Sequence, residues 1–322
     1  MRYLLATCLA ALGCAAPDST VATASPARPS RQADAPAAGE RTLDVGGVHR
    51  TYALHVPPNA RDRMPLVIVL HGGFGNGQQS ERKDGFDPVA DREGFAVAYP
   101  DGLEHHWNDG RIDNGATAVD DVAFVRTLID ELVAHDKIDP ARVFVTGMSN
   151  GGMMTYRLGC ELADKIAAIA PVSGPLAASL ATTCRPARPL SVLAMHGTDD
   201  PIVPYGGGEI RLRNLNARGE VIGAEAAAEL FARADGCTGA PARTREPDRD
   251  PSDGTSVDRI AYTCPAGVRV ELLAIAGGGH TWPGGTQPTR LGARLVGATS
   301  RELSATERIW QFFAATPPRA IR

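Results

Sequence analysis

The chain has no basic surplus: 33 Lys and Arg stand against 37 Asp and Glu, a formal net charge of −4. That excludes the electrostatic footprint of a nucleic-acid binder. It also has no apolar run long enough to span a bilayer, since the one such stretch, Tyr3–Leu12, is about half the length needed. No Cys-x-x-Cys pair and no Cys/His cluster suggests a metal site. No Gly-x-Gly-x-x-Gly and no Gly-Lys-Ser/Thr offers a nucleotide cradle. No internal repeat and no linker divides residues 41–322, which therefore read as one domain.

What is present is ordinary for a globular protein of 322 residues: 43% hydrophobic, 22% charged, with 35 glycines and 24 prolines marking many turns. The first residues are a leader. Met1-Arg2 precedes the short apolar stretch, and Gly13-Cys14-Ala15-Ala16 offers two competing cuts. In one, Cys14 is acylated and retained, although Ala11 and Leu12 fit the lipoprotein pattern imperfectly. In the other, an ordinary signal peptidase cuts after the small residues. Residues 1–14 read as the signal and 15–39, rich in Ala, Pro, Ser and Thr, as a flexible tether. Either cut implies export, with membrane contact only through a lipid at Cys14. Four further cysteines suit an oxidising compartment, and proximity suggests Cys160–Cys184 and Cys237–Cys264 rather than four free thiols. Each bridge would close a loop of about 25 residues, worth about 3 kcal/mol in the chain-entropy account.

From residue 40 onward, strands and helices alternate. A hairpin is expected around Gly46-Gly47, then apolar strands at 66–70, 95–99, 142–146, 166–170, 190–195 and 268–275, with a further strand at 257–262. Helical spacing recurs at 119–135, 151–163, 224–234 and 300–315, the last burying Trp310. Such alternation predicts an α/β fold with a mostly parallel sheet covered on both faces.

Four segments carry chemistry. Gly147-Met148-Ser149-Asn150-Gly151 lies between an expected strand and helix, the setting of a nucleophile elbow. His71-Gly72-Gly73-Phe74 follows strand 66–70 and can present N–H groups to an oxyanion, pairing Asn150 with Gly73 or Phe74. His71 itself reads as structural. His196-Gly197-Thr198-Asp199-Asp200 follows strand 190–195, with Asp200 favoured as the acid because Asp199 sits one residue nearer the strand. Gly277-Gly278-Gly279-His280 follows strand 268–275 and places an imidazole on a loop. The order Ser149, Asp200, His280 is that of the α/β-hydrolase triad. It predicts acyl transfer to water, with serine as nucleophile, histidine as proton carrier and aspartate as its orienter. The pair His105-His106 has no partner ligand at a metal-binding spacing. Trp107 and Trp282, on loops, are candidates to wall an aromatic acyl group or a sugar, and Trp282 could instead pack behind His280.

The chain further resembles the exported esterases that include polyhydroxybutyrate depolymerases, feruloyl esterases and acetylxylan esterases. The marks are His71-Gly-Gly, Tyr99-Pro-Asp-Gly102, Trp107-Asn108, Asp120-Asp121-Val-Ala-Phe124, Asp139-Pro-Ala-Arg-Val143, Gly147-Met-Ser-Asn-Gly-Gly152, Pro171-Val-Ser-Gly174, His196-Gly-Thr-Asp-Asp-Pro201 and Gly278-Gly-His-Thr-Trp-Pro-Gly284. The resemblance spans about residues 40–315 and implies the α/β-hydrolase fold, Asp200 as the acid, both disulfides, ester substrates and no cofactor or metal. An acylated carbohydrate is the expected substrate, a polyester the alternative. A non-catalytic binding protein on the same fold is the distant rival.

Overall fold

The structure, a computed structural model, describes residues 40–111, 119–211, 218–265 and 267–321. The expected signal (1–14), the tether (15–39) and Cys14 lie outside the described residues.

The chain enters through a β-hairpin, β1 (Glu40–Val45) and β2 (Val48–His55), turning at Gly46-Gly47. Both glycines have positive φ, as the tight hairpin turn requires. The path continues through β3 (Met64–Leu70), α1 (Gly77–Lys83), α2 (Phe86–Glu93), β4 (Ala96–Pro100), α3 (Asp121–His135), β5 (Ile138–Met148), α4 (Asn150–Glu161), β6 (Ala168–Val172) and β7 (Ser191–Gly197). Two short strands, β8 (Gly207–Glu209) and β9 (Glu220–Ile222), pair apart from the main sheet. Then come α5 (Ala224–Ala234), β10 (Thr238–Arg245), β11 (Ser256–Thr263), β12 (Val270–Ala276), α6 (Arg290–Val296) and α7 (Ala305–Ala314).

The main sheet runs β1-β2-β4-β3-β5-β6-β7-β12-β11-β10. Its six central strands, β4 to β12, are parallel, and both flanks are antiparallel. Every residue of β3, β4, β6 and β7 is buried, because helices cover both faces and leave no polar side. One face packs Phe124, Leu128, Leu132, Tyr156 and Phe231 from α3, α4 and α5. The other packs Phe86, Phe95, Trp310, Phe312 and Phe313 from α2, α7 and their approaches. Phe95 stacks on Trp310 at 3.8 Å and Phe144 on Phe313 at 4.7 Å. The sheet therefore meets the expectation of an α/β-hydrolase fold.

Both expected disulfides are formed. Cys160, in the last turn of α4, bonds Cys184, and Cys237 bonds Cys264. Helix α7 starts at Ala305 rather than Ser300. The intervening residues are held elsewhere: the Ser300 hydroxyl accepts from Thr255 Oγ1 at 2.8 Å, and the Glu302 carboxylate accepts from the backbone of Arg249 and Asp250. Ser304 then caps the helix through its hydroxyl. Among the described residues no helix is long and apolar enough to cross a membrane.

Candidate active site

Ser149 sits between β5 and α4 with φ 57° and ψ −119°, a conformation that L-residues avoid unless the surroundings enforce it. Here the enforcement comes from close backbone contact. A Cβ on Gly151 would lie 2.2 Å from the Leu70 carbonyl oxygen, and one on Gly147 would lie 2.6 Å from the same atom. The Ser149 N–H donates to Val172 O at 2.9 Å, and its carbonyl accepts from Met153 N at 2.9 Å. The elbow is thus pinned on three sides by β3, β6 and the first turn of α4.

Asp200 and His280 come from the loops after β7 and β12, the carboxyl ends of adjacent parallel strands. Asp200 Oδ1 accepts from the backbone N–H groups of Ile202 and Val203, both at 2.8 Å. Its Oδ2 lies 2.7 Å from His280 Nδ1. His196 Nε2 lies 2.9 Å from Val203 O, so it carries the proton, and stands 3.4 Å from Asp200 Oδ2. Burial by itself would push the Asp200 carboxyl up. The hydrogen bonds from His196 and His280 outweigh that and hold it well below the usual carboxylate range. Asp199, in contrast, is exposed and bonded to the Thr198 hydroxyl. His280 is tethered by its own backbone N–H to Val296 O. Gly279 has to be glycine, since a Cβ would stand 2.1 Å from that carbonyl.

Ser149 and His280 line one cavity of about 200 Å³, together with Gly73, Phe74, Met153 and Ile202 among others. The first turn of α4 opens onto it, and the Asn150 N–H has no acceptor among the described residues. Of the two expected loop donors, Phe74 is corrected: its N–H donates to His105 O at 2.8 Å, whereas that of Gly73 has no acceptor among the described residues. Phe74 lines the cavity with its ring instead, 56% exposed. His71 is structural, as expected. Its Nε2 accepts from Gly102 N at 2.9 Å and its Nδ1 donates to Gly72 O, while burial depresses the imidazole to about 4.

Neither tryptophan lines the cavity, which overturns that expectation. Trp107 is fully buried and donates its indole N–H to His71 O at 2.9 Å. Trp282 is 8% exposed, packs against Phe86 and donates to Thr306 Oγ1 at 3.1 Å. Indoles on loops can still be core when the loops cross the sheet ends, which residue spacing does not disclose. The cavity wall comes instead from Met153, Ile202, Ile210, His106, Arg111 and Arg218. A clasp around Asn150 was also missed. Its Oδ1 accepts from Trp107 N at 2.8 Å, and its Nδ2 donates to Trp107 O at 3.0 Å and to Asp109 Oδ2 at 2.6 Å. Arg111 in turn grips Asp109 with two guanidinium nitrogens, at 2.9 and 2.7 Å. The signal that could have found this clasp was Trp107-Asn108-Asp109, polar residues beside an indole on a short loop. His196, four residues before Asp200, could likewise have been read as its neighbour.

Residues 50–201 match the family profile described as Esterase PHB depolymerase. A protein of Nocardia uniformis subsp. tsuyamanensis, named as the esterase NocK, is 37% identical over 84% of this chain and 81% of its own length. Feruloyl esterase B of Piromyces equi is 35% identical over 67% of this chain, which spans only 39% of that longer protein. Among solved structures, an acetyl xylan esterase from Aspergillus awamori superposes with a TM-score of 0.57 over 85% of this chain and 98% of its own, at 13% identity, a likeness of fold. The chain belongs to the esterase family of polyhydroxybutyrate depolymerases, feruloyl esterases and acetylxylan esterases, and it is a carboxylic ester hydrolase.

Proposed function

We propose that the protein hydrolyses esters through Ser149, His280 and Asp200 by way of an acyl-enzyme. Ser149 Oγ attacks the ester carbonyl carbon as His280 Nε2 takes its proton. The N–H groups of Asn150 and Gly73 receive the developing oxyanion, helped by the positive end of α4. Collapse breaks the carbon–oxygen bond to the alcohol, which leaves with the proton from His280. Water then repeats the sequence, releasing the acid and restoring the serine. The observation that carries this reading is the 2.7 Å bond between a buried Asp200 and His280, which lines the same cavity as Ser149.

The substrate proposed is an acylated plant carbohydrate of feruloyl- or acetylxylan-esterase type. The cavity supports it: about 200 Å³ is below the roughly 300–1,000 Å³ that houses a whole drug-sized ligand, so it takes one end of a larger ester. A short polyester is the second reading, favoured by the apolar wall of Met153, Ile202 and Ile210 and by the exposed Phe74 ring. The enzyme would be exported, in keeping with its leader and its two disulfides, with Cys14 as the point of any lipid anchor. Labelling with a fluorophosphonate followed by peptide mass spectrometry tests the chemistry. An adduct on Ser149, and its loss in Ser149→Ala together with turnover of p-nitrophenyl acetate, is expected. Undiminished turnover by that variant would end the assignment. Rates on methyl ferulate, acetylated xylan and polyhydroxybutyrate would then rank the substrates.

A further inference from the structure

We propose that His106 is a substrate-binding residue that accepts a hydrogen bond from a hydroxyl carried by the ester, close to the carbonyl that is cleaved. The proposal rests on the Ser149 reading and adds a specificity determinant to it. Four observations support it.

The ring is placed with care. The backbone N–H of His106 donates to Leu103 O at 3.0 Å, and Gly102 behind it must lack a side chain, since a Cβ there would stand 2.4 Å from His106 O. The ring meets Phe74 edge-on, with centroids 4.6 Å apart at 82°. The adjoining backbone is strained, with Phe74, Glu104 and His105 all at positive φ. The two loops are laced by Phe74 N–H to His105 O and by His105 Nδ1–H to Gly75 O at 2.9 Å.

The tautomer is set. His106 Nδ1 lies 3.0 Å from Glu104 O, and a carbonyl can only accept, so Nδ1 carries the proton. The neutral ring therefore presents a bare lone pair at Nε2. Among the described residues, Nε2 has no hydrogen-bond partner.

The lone pair lies beside the chemistry. The Cδ2–Nε2 edge rests against Gly73, where a Cβ would be 3.4 Å from both atoms, and Gly73 supplies one of the proposed oxyanion donors. Both residues line the cavity with Ser149 and His280. A group bonded to Nε2 thus sits beside one of the proposed oxyanion donors, in the cavity that Ser149 lines.

The cavity is short of acceptors. Among the described residues its lining includes Arg111 and Arg218 but no Asp or Glu, and the Asn150 amide is spent on Trp107 and Asp109. Apart from the proposed catalytic pair, His106 is the lining residue among those described whose side chain keeps an unengaged nitrogen or oxygen lone pair. A hydroxyl donor is the chemistry that matches it. That hydroxyl has two sources. On the acyl side it belongs to a hydroxyacid ester; on the alcohol side, to a polyol or sugar.

Two isosteric pairs separate them: methyl 3-hydroxybutyrate against methyl 3-methylbutanoate, and 2-hydroxyethyl acetate against propyl acetate. The wild-type enzyme should prefer the hydroxylated member of one pair in kcat/KM. His106→Ala should lower that ratio about five- to tenfold, chiefly through KM, and His106→Gln, which restores an acceptor, should recover most of it. Wild-type ratios near one in both pairs, or a preference undiminished in His106→Ala, would overturn the proposal, and the first result needs no variant to fold. Ser149→Ala distinguishes the two levels. If it turns over the plain esters at the wild-type rate, the serine reading has failed. If it is inactive while the ratio ignores His106, only the present inference has failed.

Discussion

The sharpest test of the proposed acid is the comparison of Asp200→Asn with Asp199→Asn. In the wild type, Asp200 Oδ1 takes two backbone N–H bonds at 2.8 Å, and Oδ2 faces two imidazole nitrogens, His280 Nδ1 at 2.7 Å and His196 Nε2 at 3.4 Å. An asparagine keeps Oδ1 on the two N–H groups and so turns its NH₂ toward His280. A donor then meets a donor, and the imidazole relieves the clash by moving its proton to the other nitrogen. That tautomer has no lone pair facing Ser149. Loss of the correct tautomer in a serine triad lowers kcat about 10⁴-fold, close to 5.5 kcal/mol of barrier. Asp199→Asn touches an exposed carboxylate bonded to Thr198, and turnover should stay within about twofold of wild type. The assay is p-nitrophenyl acetate hydrolysis by enzyme whose folding is verified by its melting transition. A kcat for Asp200→Asn within tenfold of wild type would refute the tautomer argument, and a crippled Asp199→Asn would move the acid to its neighbour.

Two stability predictions follow from other sites. Gly151→Ala forces a methyl to within 2.2 Å of the Leu70 carbonyl in a central strand that cannot retreat, so it should lower unfolding free energy by about 3 kcal/mol or more. A urea midpoint equal to wild type would contradict that. Asp235 is raised to about 7 by burial, with Oδ1 accepting from Leu190 N and Oδ2 left without a partner among the described residues. Its folded-state value lies above the unfolded one, near 4, so its stabilising contribution is complete below that pH and is lost as pH climbs to 7. Asp235→Asn should therefore gain on wild type between pH 4 and pH 8 in denaturant unfolding, and a gap that narrows or reverses with rising pH would refute it.

The parallel core and the elbow were legible because their signals are local. β3, β4, β6 and β7 are continuous apolar runs, and Gly147-x-Ser149-x-Gly151 joins a strand to a helix by its own steric logic. The elements that went unread lack such signals. Helix α1, Gly-Gln-Gln-Ser-Glu-Arg-Lys, buries only Gly77 and Ser80, and edge strand β10 is exposed along nearly its whole length. Neither shows an apolar period. The proposed acid, Asp200, was picked out by its place after a strand, and the structure sets it against His280, but the tryptophans misled. Trp107 and Trp282 lie in loops, yet the loops fold over the sheet's end and bury both. Loop membership does not report exposure. The Asn150 clasp joins residues more than 40 apart, so Trp107-Asn108-Asp109 marks only one side of it and does not name its partner.

That clasp has a consequence for how the enzyme dies when heated. The side chain of Asn150 ties the first turn after Ser149 to the loop carrying Trp107, and that loop's indole is in turn fastened to His71, just after β3. Opening the loop at residues 106–109 would therefore free the side chain of Asn150, the residue next to the serine, from its bonds to Trp107 and Asp109. Catalytic rate should act as a thermometer for that loop: inactivation and amide exchange at Trp107 ought to rise along a single temperature curve, well ahead of the central strands.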